Sequence, residues 1–227
     1  MYYLSKMRKR NLLAASVAVL SVLSALFYET NADEPDPVLK FYVSQADSAF
    51  VRTSLSNPPV NYSFVALTYF KSIGRKGVVS RLDSTVARYF CSGATVDSAQ
   101  TLVESKGKIP ELTFSYPDVF TEDYGHNFFP NDIGQQDLAI GFDSYSDPDT
   151  FPSGIAVIDR ENYLLRRLYL FYPNPEGYKR LTRSFRLAEF GKYIFPDSIW
   201  EVGAKHGIFT TEYYRLETGI EQIQLLR

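Results

Sequence analysis

Apolar positions follow two different periods along this chain, and the point where one gives way to the other sets its organisation. Leu39, Tyr42, Val43, Ala46, Ala49 and Phe50 recur at spacings of three and four, which predicts one amphipathic helix over residues 37–52. Asp36 stands as its N-cap and Pro37 as its first helical residue. Ser56-Asn57-Pro58-Pro59 ends it, because proline removes a donor and clashes with the preceding turn.

From Val60 onward the period is two. Tyr62, Phe64, Ala66 and Phe70 alternate with Val65, Leu67 and Tyr69, a strand apolar on both sides, so both sides are expected to be covered or to line a cavity. Gly74-Arg75-Lys76-Gly77 reads as a hairpin turn. Further strands are predicted from Val78 to Cys91 and from Thr95 to Glu104, separated by Ser92-Gly93. Residues 110–152 carry Pro117, Pro130, Pro148 and Pro152 and predict short strands and loops, with room for one helical turn, lying over the sheet. Strands then follow at Gly154–Ile158, Tyr163–Tyr172, Lys179–Phe190, Ile194–Val202 and Ile208–Glu217. Their joints are Asp159-Arg160-Glu161-Asn162, Pro173-Asn174-Pro175-Glu176-Gly177 and Gly203-Ala204-Lys205-His206-Gly207. So many strands in sequence make an antiparallel meander that must curl or close. The fold class is mainly β, a curved antiparallel half-barrel with an N-terminal helix and a covering helix or loops on its concave face.

The first residues are of another kind. Lys6, Arg8, Lys9 and Arg10 precede seventeen uncharged residues from Leu12 to Tyr28, and Thr30-Asn31-Ala32 offers small residues for cleavage. This is the pattern of a secretory signal peptide over residues 1–32, with residues 33–227 as a single β domain. The competing reading is an inner-membrane anchor at residues 11–28; either way the body is exported to the periplasm. Removing residues 1–32 takes away four basic residues and one acidic residue, so a chain of formal charge −2 becomes a body of 20 basic against 25 acidic residues, or −5. An acidic body without a basic run is unsuited to nucleic acid.

Catalytic material is scarce. The 227 residues hold 2 His and 1 Cys, which excludes an internal disulfide framework and Cys-cluster metal sites. His126 and His206 have no ligand or base partner at useful spacing and read as surface or hydrogen-bonding residues. Asp143, Asp147 and Asp149 lack the glycine and closing glutamate of a calcium loop, Cys91 reads as a small core residue, and Asn61-Tyr62-Ser63 matches the glycosylation sequon by chance. No catalytic residue, metal or cofactor is expected. The aromatic residues are the better candidates: Tyr62, Phe64, Phe70, Tyr89, Tyr169, Phe171, Phe185 and Phe190, either as core or as the lining of an apolar pocket.

The stretch from Gly154 to Glu217 carries Ile158-Asp159-Arg160 at a strand end, the long strand Leu164–Tyr172, Gly191-Lys192-Tyr193 at a turn, the proline-containing strand Phe195-Pro196-Asp197-Ser198-Ile199, and the strand Thr210–Leu216. This order resembles the C-terminal half of the LolA/LolB-like periplasmic outer-membrane lipoprotein-sorting (lipoprotein carrier) family, and the helix followed by a strand fits that family's opening. The resemblance implies an open barrel whose apolar cavity holds the acyl chains of a lipid or acylated lipoprotein during transport, without catalysis. It assigns no position here to that family's gating arginine. The expected partners are a lipid or acylated lipoprotein, with envelope proteins beside them, and the expected state is a monomer. The rival expectation is a structural or sensory envelope module that binds a protein partner through the same fold.

Overall fold

A computed structural model describes residues 36–56, 58–74, 77–129, 136–146, 151–173, 175–206 and 211–226. The expected signal or anchor segment, the Asp147–Asp149 part of the acidic cluster and residues 207–210 lie outside the described residues. Residues Asp36–Arg227 form one compact unit.

Helix α1 runs from Pro37 to Thr53, with Pro37 in its first turn and the Asp36 carboxylate accepting the Val38 N–H at 2.8 Å. Leu39, Ala46 and Ala49 are buried, and Tyr42, Val43 and Phe50 pack half-buried beside them, so the predicted stripe is the packed face. Ten strands follow: β1 Asn61–Ile73, β2 Val79–Ser92, β3 Thr95–Val103, β4 Tyr124–Phe128, β5 Asp137–Ser144, β6 Ser153–Asp159, β7 Leu165–Tyr172, β8 Tyr178–Phe190, β9 Tyr193–His206 and β10 Thr211–Leu225. They make one antiparallel sheet in the order β3-β2-β1-β10-β9-β8-β7-β6-β5-β4. Each strand lies beside its sequence neighbour except at β1–β10, paired from Tyr62↔Leu225 to Ile73↔Tyr213. The mainly β, curved and unclosed sheet is therefore observed, with one helix before it among the described residues, and β3 and β4 are its two edges.

That one non-sequential pairing has a topological consequence. β3 and β4 are consecutive in the chain yet stand at opposite edges of a ten-stranded sheet. Nine inter-strand steps of about 4.8 Å measure about 43 Å along the sheet, and residues 104–123, none of them in a helix or strand, reach at most about 72 Å. The connection is long enough to cross, and it crosses the concave side: Phe114, Val119 and Phe120 are buried in the main core cluster, with Leu112 and Tyr116 packed against it. No helical turn forms there; α1 and this extended cover are what close the concave face among the described residues.

Three local outcomes differ from the periodicity. The convex side of β1 is uncovered, with Tyr69 51% exposed, because neighbouring strands shield Val65 and Leu67 only in part. Gly203 is not a turn residue: β9 continues to His206, and the glycine is needed because a Cβ there would collide with the Tyr214 ring lying over it. β10 runs on to Leu225, past Gly219, with Gln222 in the left-handed region (φ 53°) where the strand departs from a regular course. The glycine turns follow expectation, Gly77 at φ 70° and Gly93 at φ 59°.

Replacing Gly203 by alanine should force Tyr214 out of its place and destabilise the protein by about 1–3 kcal/mol. Urea unfolding of Gly203→Ala should show that loss, and Gly203→Ala combined with Tyr214→Ala should cost less than the two changes summed.

Candidate functional site

The concave face is built from the even positions of β1 and the residues registered with them. Tyr62, Phe64, Ala66, Thr68 and Phe70 pair with Cys91, Tyr89, Ala87, Thr85 and Asp83 on β2. On the other side Ala66, Thr68 and Phe70 pair with Ile220, Thr218 and Leu216 on β10. The series divides into an apolar half and a polar half, and the Thr68–Thr218 hydroxyl pair at 3.0 Å marks the divide.

In the apolar half the aromatic rings touch one another. Phe64, with no exposed surface, stacks on Tyr89 at 5.2 Å and meets Phe114 and Phe195, each at 5.2 Å. Tyr62 meets Phe195 edge-on at 5.3 Å and donates its hydroxyl to the Gly93 carbonyl at 2.8 Å. Burial pushes the Tyr62 phenol above its ordinary range and the Cys91 thiol up to about 11, so neither ionises near neutrality. Tyr116 lies between Phe185 at 5.5 Å and Phe50 of α1 at 5.9 Å, joining cover, sheet and helix.

A cleft of about 180 Å³ opens in this half. Phe50, Leu55, Tyr62, Phe114, Tyr116, Leu165, Ile194 and Phe195 supply its apolar wall, and Ser54, Ser56, Ser115 and Asp118 stand among them. Its volume falls below the roughly 300–1,000 Å³ of sites that enclose a drug-sized ligand. A longer apolar guest enters only if the cover residues Phe114 and Tyr116 give way.

The cover is held at both ends. At the start, Asp83 of β2 accepts the N–H groups of Lys106 and Gly107, each at 3.0 Å, while Arg81 donates to the Lys108 carbonyl at 3.0 Å and to Asp83 at 2.7 Å. The Arg81 guanidinium pulls the Asp83 carboxyl down to about 2. At the far end, Asp118 accepts the Phe120 N–H at 3.0 Å and His126 Nε2 lies 2.7 Å from the Val119 carbonyl. Burial pushes Asp118 up to about 6, the Phe120 N–H opposes that rise, and the nearby Asp47 carboxyl of α1 adds to it. His126 is shifted the other way, its imidazolium disfavoured by burial.

The polar half is a separate assembly. Arg183 Nε donates to Glu201 Oε2 at 2.6 Å and the Tyr214 hydroxyl to Glu201 Oε1 at 2.6 Å. The guanidinium lies over Tyr172 at 5.7 Å, and Lys205 lies over Tyr178 at 5.3 Å. Glu201 is deeply buried, with 7% of its side chain exposed. Phe70, Tyr214 and Leu216 form a small second core beside it.

The sequence candidates are thus distributed unequally. Phe64 touches both Tyr62 and Tyr89 in the aromatic floor, Phe185 belongs to the same core cluster and meets the cover at Tyr116, and Tyr62 lines the cleft itself. Phe70 shares the concave face but belongs to the second core. Tyr169 and Phe171 alternate with the fully buried Leu168 and Leu170 of β7 and so take the opposite, convex side, Tyr169 being 40% exposed. Phe190 is half-buried at the β8–β9 hairpin, outside both clusters. Phe50, Leu55, Phe114, Tyr116 and Phe195 line the cleft without having been singled out. The alternation Thr113-Phe114-Ser115-Tyr116 is the signal that marks the cover as an extended segment with one apolar face. Cys91 is a buried core residue, as its strand position predicts, and His126 takes a hydrogen-bonding role. Among the described residues no group of three or more His, Cys, Asp or Glu is placed to hold a metal ion.

No family model matches the chain, and no curated protein does. Solved structures do. A LolA superfamily protein from Nitrosomonas europaea is 10% identical over 83% of this chain and 94% of its own, with a TM-score of 0.35. A putative outer membrane lipoprotein-sorting protein domain from Vibrio parahaemolyticus is 10% identical over 81% and 91%, at 0.41. A DUF1329 family protein from Desulfovibrio piger is 8% identical over 82% and 92%, also at 0.41. The first two carry the family name that the strand-and-turn pattern of residues 154–217 resembles. The likeness is one of fold, and the superpositions are loose.

Glu201→Ala should be among the costliest changes in the polar half, about 3 kcal/mol, because it leaves Arg183 and the Tyr214 hydroxyl without their common acceptor. Replacing the pair together, Arg183→Met with Glu201→Leu, should recover most of that loss in urea unfolding.

Proposed function

We propose that this protein is an exported, non-catalytic carrier that holds an acyl chain of a lipid or acylated lipoprotein against the aromatic floor of its half-barrel. The observation that carries this reading is the nature of the lid. A concave face of aromatic side chains is closed by one helix and by a 20-residue cover, residues 104–123, that has no ladder hydrogen bonds of its own. Segments with few backbone bonds open at low free-energy cost. A guest that displaces Phe114 and Tyr116 replaces their ring contacts by its own apolar contact with Phe64, Phe195 and Phe185, so the exchange is close to balanced. Tyr62, Phe64, Tyr89 and Phe185 are the proposed floor. In this reading residues 1–32 direct the chain out of the cytoplasm and residues 33–227 act as the binding body.

The test is extraction of the purified protein with organic solvent and mass spectrometry of the extract, with titration of the neutral apolar fluorophore N-phenyl-1-naphthylamine as a second measure. Bound acyl lipid is expected. Ala94→Trp, which places a large ring at the mouth of the cleft from an exposed turn, should weaken fluorophore binding by at least about tenfold while leaving the unfolding midpoint nearly unchanged. A protein that extracts clean and binds no fluorophore removes the carrier reading in favour of an envelope module that recognises a protein partner.

A further inference from the structure

The two edges of the sheet are finished differently. β4 is five residues long, begins at the buried Tyr124, and has its His126 ring 2.7 Å from the Val119 carbonyl of the cover. β3 is nine residues long, bonded to β2 on one side, and exposed at every position. Among the described residues, no backbone bond outside the β2–β3 ladder involves residues 95–103. An open edge is a row of N–H and C=O groups that another strand can complete, and proteins blunt it with lysine, proline, short length or a covering segment. Thr95–Val103 has none of these. It keeps one other device, a pair of bulges at Asp97 and Leu102 where the register with β2 slips. Ser98–Thr101 is left as a regular stretch between two stops.

We propose that the β3 edge is a docking site for an extended segment of a protein partner, one that adds to the sheet as a further strand and carries β-branched side chains with basic residues near its ends. The occupant follows from the edge itself. Only an extended polypeptide presents N–H and C=O groups at the spacing that this edge leaves open. Val96 at one end and Leu102 and Val103 at the other are exposed apolar side chains beside which the partner's would lie. Residues 95–104 hold two acids, Asp97 and Glu104, and no base. A second copy paired through the same residues would bring four carboxylates and no cation to one seam, whereas a basic segment neutralises them. β3 also begins one residue after Ala94, which with Gly93 lines the cleft, so a segment lying along β3 ends at the cleft mouth. The docking uses backbone groups of β3 and goes beyond the carrier reading, because it holds whatever the cleft contains.

The probe is the peptide KVTVTVKGGC, joined by a disulfide from its C-terminal cysteine to Ala94→Cys in the full chain so that it runs antiparallel to β3. Ala94 is exposed, and Cys91 is buried and does not compete. Tethering holds the peptide at an effective concentration of about 1 mM. Hydrogen exchange read amide by amide should then show alternate amides of residues 95–103 slowed about fourfold, as for a segment with a Kd of about 0.3 mM, with the β4 amides unchanged. The acidic EVTVTVEGGC should protect less, and KVTPPVKGGC, with a proline on each edge of the strand, should not protect at all. Asp97→Lys with Glu104→Lys should reverse the order of the basic and acidic peptides; both positions are exposed, so the unfolding midpoint should stay within a few degrees of the parent. Unchanged β3 amides with the basic peptide in place would overturn the docking site. Equal protection by the two peptides would overturn its preference for a basic segment. Protection that appears without any peptide and grows with protein concentration would give the edge to a second copy instead. All of these are read on β3 amides without lipid, so a protein that extracts clean can still show the docking, and one that carries lipid can still lack it.

Discussion

The pairing of β1 with β10 is the constraint from which the rest of the molecule follows. It places strands separated by about 150 residues side by side from Tyr62↔Leu225 to Ile73↔Tyr213, joining an N-terminal three-stranded meander to a C-terminal seven-stranded one. Once that seam forms, β3 and β4 stand at opposite edges, and the chain between them has to travel the width of the sheet. Crossing on the concave side lets Phe114, Tyr116 and Val119 bury apolar surface against rings that α1 alone leaves open. The cover is thus a by-product of topology that also completes the core, which explains why so long a segment without secondary structure is well packed.

The concave face then divides by chemistry. Near α1 it is aromatic and includes a small cleft. Beyond Thr68 and Thr218 it becomes a network of Arg183, Glu201 and Tyr214 in which a buried carboxylate is satisfied by a guanidinium and a phenol. Burying such a pair costs desolvation that its attraction repays only in good geometry, and the two 2.6 Å bonds with Tyr172 beneath the guanidinium supply that geometry. The network ties β8, β9 and β10 to each other beside a small second core of Phe70, Tyr214 and Leu216.

How far the sequence carries can be seen in particular residues. Leu39, Ala46 and Ala49 gave α1 by their spacing, and Gly77, Gly93 and Gly177 take positive φ at the turns where turn chemistry placed them, as does Gly191 at the turn that the family resemblance implied. Tyr62 and Phe64 were legible as neighbours on one face of β1 because alternation put them there, and they do share the concave side. Alternation alone does not say which face is inner, so Tyr169 and Phe171 were grouped with them although β7 turns Leu168 and Leu170 inward. Gly203 looked like a turn because a glycine required by a ring from another strand has the same letter as one required by a positive φ.

What the sequence determined by itself is local and periodic: one helix with its cap, a run of β-strands with their turns, an acidic balance over residues 33–227, and a shortage of His and Cys. What only the tertiary structure decided is which aromatic residues meet, where the cover lies, and that Asp83 and Arg81 of β2 tie down its start. Local pattern reflects each residue's interaction with neighbours a few positions away. The site depends on the β1–β10 seam, a contact between segments some 150 positions apart, and no local period carries that register.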